Sequence, residues 1–152
     1  MKFAIVAVGR WKSGPEKALY EHFAARLKPK PTLTEVDEKK KLAPDELKRR
    51  EAELLLAQVP AGAKLVALDG GGKPLSSKAL AERIGTWRDE GVREIALLIG
   101  GADGHGEAVL AKADLTLSLG PQTWPHLMVR AMLAEQIYRT ESILAGHPYH
   151  RE

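Results

Sequence analysis

Apolar residues follow two alternating rhythms along this chain. Unbroken apolar runs at Lys2–Val8, Lys64–Leu68, Glu94–Ile99 and Leu115–Leu119 predict strands buried on both faces, and Thr32–Val36 predicts a shorter one. Between these runs the apolar positions take helical spacing. Leu19, Phe23 and Leu27 form a stripe within Pro15–Leu27, and Leu47, Leu54 and Leu55 form one from Pro44 to about Gln58. Leu80, Ile84 and Trp87 face inward in Ser76–Asp89, a short helix follows Gly106 to about Lys112, and His126–Leu144 is a long helix. Pro29, Pro31 and the turn Pro60-Ala61-Gly62 stop the first two helices, while Pro44 suits a first helical position. Strands alternating with helices predict an α/β protein with a largely parallel sheet.

The last helix changes the picture. It is apolar on nearly all sides, through Leu127, Met128, Val129, Ala131, Met132, Leu133, Ala134, Ile137 and Tyr138. One small sheet cannot cover such a helix, so burial against a second subunit is the simplest solution and a homodimer is expected.

Composition adds limits. The 152 residues suit a single domain spanning 1–152, and no repeat or linker divides them. There is no cysteine, which excludes disulfides and thiolate chemistry and fits a reducing compartment. The apolar start at Met1–Gly9 is followed at once by Arg10 and Lys12 with no small-residue cleavage site, so it reads as a strand rather than a signal peptide. No apolar run approaches the ~20 residues of a membrane span, and a cytoplasmic protein is expected. The net charge of +3 is uneven: residues 1–60 carry 13 Lys/Arg against 9 Asp/Glu, and residues 61–152 carry 10 against 11. The basic half, with Lys39-Lys40-Lys41 and Lys48-Arg49-Arg50, is either a solvated surface or a face for a polyanion.

Three loops, 69–74, 100–106 and 120–125, follow three strands, where open parallel sheets hold ligands. Their glycines bring bare backbone close to a ligand, which suits an adenine-containing cofactor. Gly70-Gly71-Gly72-Lys73 is not a Walker loop, and Gly100–Gly106 is not a dinucleotide fingerprint. No metal site is expected: Pro148 separates His147 from His150, and Glu152 is the one acid near them. Ser76-Ser77 reads as a helix cap. Glu135 and Arg139, at i and i+4, either pair on the helix or serve a site. The tail His147-Pro148-Tyr149-His150-Arg151-Glu152 is too rich in reactive side chains for a frayed end and is expected to dock and act.

Leu97–Gly104, Thr123-x-Pro125-His126, Glu135-Gln136-x-Tyr138-Arg139 and Pro148-Tyr149-His150 together closely resemble the ribosomal RNA large subunit methyltransferase H family, along the whole chain. These are S-adenosylmethionine-dependent enzymes of the SPOUT superfamily that methylate N3 of a pseudouridine in 23S rRNA. The resemblance implies an α/β-knot with helices on both faces of the sheet and a C-terminal trefoil knot, which general topology rules disfavour. It also implies a homodimer in which one subunit's tail completes the other's site, acting on the assembled ribosome. Carried over, the cofactor residues are Leu68, Gly100, Gly101, Leu119, Gly120, Pro121, Gln122, Thr123, Trp124 and Pro125. The family's serine at position 120 is here glycine, its apolar residue at position 122 is Gln122, and its alanine after Tyr138-Arg139 is Thr140. The candidate catalytic residues are Arg139, Tyr149, His150 and Arg151. The two arginines are candidates to meet the charge that develops on the base, Tyr149 to stack or donate a hydrogen bond, and His150 to act as the base or as an RNA contact. Two other readings remain open: a ribosome- or RNA-binding module without turnover, and an α/β enzyme acting on a nucleotide.

Overall fold

The structure, a computed structural model, describes residues 1–151. Ten elements follow in order: β1 (Lys2–Val8), α1 (Pro15–Ala24), β2 (Thr32–Val36), α2 (Pro44–Leu56), β3 (Lys64–Lys73), α3 (Ser77–Asp89), β4 (Glu94–Ile99), α4 (Glu107–Lys112), β5 (Leu115–Leu117) and α5 (His126–Leu144). The five strands pair in the order β2-β1-β4-β3-β5, all parallel. Val6 lies opposite Leu98 and Ala67 opposite Leu98 from the other side, so the central strands are flanked by apolar neighbours.

Both faces of the sheet are covered, which explains the continuous apolar runs. Phe3, Ile5, Ala7, Leu97 and Ile99 point to the face packed by α1, α3 and α5. Val6, Val8, Ala96 and Leu98 point to the face packed by α2 and α4. The cap expected at Ser76 is present, its Oγ accepting the Ala79 N–H at 3.1 Å.

Four details depart from the sequence reading. The first loop is not a loop from residue 69: β3 continues to Lys73 with an irregularity between Leu68 and Lys73. Gly72 permits this, since a Cβ there would lie 2.5 Å from the Thr116 carbonyl oxygen. Conversely, β5 stops at Leu117, because the Ser118 N–H bonds the Lys73 carbonyl at the end of that extension. Helix α1 ends at Ala24, and its buried residues are Tyr20 and Ala24, followed by Leu27, while Leu19 is 47% exposed. Last, α1 and α3 flank α5 and bury Ala131, Leu133, Ala134 and Ile137 within one subunit. Much of the apolar surface of α5 is therefore covered without a partner. Arg88 of α3 bonds Glu141 of α5, and Ser77 bonds Gln136 at 2.7 Å. No helix among the described residues is long and apolar enough to cross a membrane.

Candidate active site

The carboxyl ends of β3, β4 and β5 open onto a cavity of about 440 Å³, in the range of small-ligand pockets. Leu68, Gly100, Gly101, Leu119, Gly120, Pro121, Gln122, Thr123 and Trp124 all line it. Pro125 does not: it is the residue before the first turn of α5, where its lack of an N–H costs nothing. Asp69, Gly70, Gly104, His126 and Val129 are also among its walls.

Each wall has a local cause. The loop after β4 turns back through a bridge between Gly101 and Gly104, with the Gly104 N–H on the Gly101 carbonyl at 3.0 Å and Gly104 at φ 82°. A side chain at Gly101 would crowd the Glu51 carboxyl at 2.9 Å and Val8 at 3.2 Å, so glycine fits best at that point of the loop. Glu51 is buried on α2 under that loop, and burial, then Asp103 and Asp37, hold its carboxyl above the usual range. His105 is buried beneath the same loop and its Nε2–H donates to the Leu98 carbonyl at 2.9 Å, which assigns the tautomer. Burial holds its pKa below the ordinary imidazole value, so it is a neutral pin rather than a base.

The third loop is fixed by Ser118 and Gly120. The Ser118 hydroxyl accepts the Gly120 N–H at 3.1 Å and lies 3.3 Å from the Gly70 carbonyl, which ties the loop to the end of β3. Gly120 adopts φ 105°, which a side chain would strain, so the serine of the resembling family is not interchangeable here. Trp124 closes the loop with its indole N–H on the Leu119 carbonyl at 3.2 Å.

The tail forms a separate cluster on the second half of α5. Arg139 donates from Nε to Glu135 at 2.8 Å and from a terminal nitrogen to His150 Nδ1 at 3.0 Å. Its guanidinium lies 4.8 Å from the Tyr149 ring centroid, and Tyr149 meets Tyr138 edge-on. The Glu135 bond holds the Arg139 pKa above its ordinary value. Because guanidinium only donates, His150 Nδ1 accepts, which leaves Nε2 as the N–H of the ring. That Nε2 is buried and has no partner among the described residues. His150 thus carries a donor at a buried Nε2 rather than the free base its residue type suggests. Arg151 is exposed, and Glu152 lies outside the described residues.

Arg139 lies ten residues beyond Val129, about 15 Å along the helix. A second cavity of about 500 Å³, between α1 and α5, spans the interval. It shares Leu117, Leu119 and Gly120 with the first cavity and reaches Glu135, the partner of Arg139.

The most buried cation escaped the sequence reading. Arg130 is 0% exposed, bonds Glu35 at 2.7 Å and the Gly9 carbonyl at 3.2 Å, and lies 4.6 Å from the Trp11 ring centroid. Glu35 also accepts the Trp11 N–H at 2.6 Å. One side chain thereby ties the loop after β1 and the end of β2 to the turn of α5 that carries His126. The signal for it was a single cation inside an apolar helical stretch. No group of three or more His, Cys, Asp or Glu among the described residues is placed to hold a metal.

Comparison with known proteins agrees with this architecture. A family model described as "Predicted SPOUT methyltransferase" matches residues 1–150. The chain is 57% identical to the ribosomal RNA large subunit methyltransferase H of Paramagnetospirillum magneticum, over 99% of each chain. It is 57% identical to the protein of that name from Rhodospirillum centenum and 52% identical to that of Rhodospirillum rubrum, each over 99% of both chains.

Proposed function

The chain belongs to the SPOUT methyltransferase family, and from that premise we propose that it transfers the methyl group of S-adenosylmethionine to N3 of a pseudouridine in 23S rRNA of the assembled ribosome. The observation that carries this reading is the pairing of a backbone-lined cavity, walled by the start of α5, with a cluster in which Arg139 from the same helix meets Tyr149 and His150 of the tail.

The cavity fits the cofactor by chemistry as well as volume. Gly100, Gly101 and Gly120 present main-chain N–H and C=O groups to an adenine edge, and the apolar walls from Leu68, Leu119 and Val129 exclude water from its faces. When bound, S-adenosylmethionine supplies an electrophilic methyl on a sulfonium. Loss of the N3 proton to solvent would leave negative charge on N3 and the base oxygens, and N3 would then use that electron pair to take the methyl. Arg139, held by Glu135, and the free Nε2–H of His150 are the preorganised donors for that charge. Tyr149, packed against Arg139 and Tyr138, offers a ring for stacking. Holding base and methyl in line supplies several kcal/mol in addition.

The roughly 15 Å between cavity and cluster supports a homodimer in which a tail reaches the partner's cavity. Exposed Leu19 and the groove between α1 and α5 offer the contact surface. The reading includes the trefoil knot and the basic half as the side that meets rRNA.

The deciding experiment supplies methyl-labelled S-adenosylmethionine and ribosomes from a strain lacking the activity, then maps the label. Label at one pseudouridine of the large-subunit RNA is the expected result. Ribosome binding without label overturns it in favour of a binding module.

A further inference from the structure

Among the residues lining the cofactor cavity, Asp69 is the one Asp, Glu, Lys or Arg. His126, the other titratable lining residue, is held below the ordinary imidazole range by burial and by Arg130. The nearby cation Arg130 is engaged by Glu35. The Asp69 carboxylate is fixed in place: Oδ2 accepts the Gly71 N–H at 2.9 Å, a fold-back that the missing side chain at Gly71 permits. Its other oxygen faces the second loop, 3.9 Å from where a Cβ on Gly104 would stand. No cation pairs with it among the described residues. The cavity therefore holds one oriented, partly exposed carboxylate among apolar and backbone groups, with no cation beside it among the described residues.

We propose that Asp69 is the specificity residue by which this cavity tells the cationic methyl donor from its demethylated product. The inference rests on the methyltransferase reading. Donor and product share adenosine, amino and carboxylate groups. They differ in one methyl and one positive charge, since loss of the methyl leaves a neutral thioether with the electron pair of the broken S–C bond. An interaction with adenosine or the amino group affects both ligands alike, whereas a fixed carboxylate acts on the difference. Favouring the donor would speed exchange of product for fresh donor at each turnover.

The test is calorimetric titration of the wild-type dimer and of Asp69→Asn with S-adenosylmethionine and with S-adenosylhomocysteine. Asn retains an oxygen for the Gly71 N–H. The expected result is a shift of the donor-to-product affinity ratio toward product by about tenfold, the order of one charge at roughly 10 Å in protein. Equal weakening of both ligands, or a ratio unchanged within threefold, overturns the proposal: Asp69 then reads the ribose or amino group, or nothing. If the variant does not fold, the wild-type ratio must still move toward product as salt rises from about 0.02 to 0.5 M, and a salt-independent ratio overturns it. Wild-type protein that binds neither ligand sinks the S-adenosylmethionine reading itself, a result distinct from binding without discrimination.

Discussion

At the scale of single residues, the molecule places its charges by opposite rules. Arg130 is fully buried because Glu35, Gly9 and Trp11 surround it, and its removal leaves Glu35 and the Gly9 carbonyl without their partner. Arg130→Ala is expected to cost about 3–5 kcal/mol, read by urea unfolding, and to loosen the first turn of α5. Glu51 is the reverse case, a buried carboxyl beside Asp37 and Asp103 with no relieving hydrogen bond among the described residues. Its folded pKa is raised, so the unfolded chain binds fewer protons above pH ~4.5 and stability falls as pH climbs from there through the folded pKa. Glu51→Gln should raise the melting temperature at pH 7 by a few degrees and flatten its pH dependence over that window. His150 carries the third test. Its Nε2–H is unpartnered among the described residues, and loss of this donor in His150→Ala should slow single-turnover methyl transfer about 100-fold at saturating ribosome. A loss within threefold would remove His150 from the chemistry.

At the scale of elements, the informative surprise is the length of β3. The glycine-rich segment Asp69–Lys73 looks like a loop because glycine has poor strand propensity, yet it runs beside β5. Close approach of two backbones explains the composition. Gly72→Ala would push its methyl into the Thr116 carbonyl, part the ends of β3 and β5, and carry Ser118 with them. The expected outcome is a loss of roughly 1–3 kcal/mol together with weakened cofactor binding, both measurable on one preparation by thermal shift with and without ligand. The stripe of α1 makes a related point. Spacing by four fits Leu19-Phe23-Leu27 and also Tyr20-Ala24, and the sheet selected the second, leaving Leu19 outward.

At the scale of the whole molecule, α5 links the cavity to the tail cluster. Its first turn walls the cavity, and its second half carries Glu135 and Arg139, against which the tail folds. If a partner's tail completes each cavity, two crippled proteins should rescue one another. Mixing and reassembling Asp69→Arg, a cavity defect, with His150→Ala should restore about a quarter of wild-type activity, because half of the dimers are mixed and each mixed dimer has one intact site. Activity no higher than the sum of the two variants would place both halves in one subunit.

The sequence by itself determined the elements and the sheet edge at which the cavity opens. Continuous apolar runs require strands covered on both faces, helical spacing between them makes the sheet parallel, and strand-end glycines mark where backbone comes close. The second and third loops were legible because short-range rules govern them, turns, caps and chain direction, whereas the first was hidden by the extension of β3 to Lys73. Tertiary structure alone decided what depends on distant partners. Arg130 finds Glu35 across 95 positions, Asp69 becomes the cavity's one carboxylate only when three loops converge, and Arg139 fixes the tautomer of His150. None of these follows from spacing. Burial and proton placement are set by what surrounds a side chain, and those surroundings come from segments far apart in the chain.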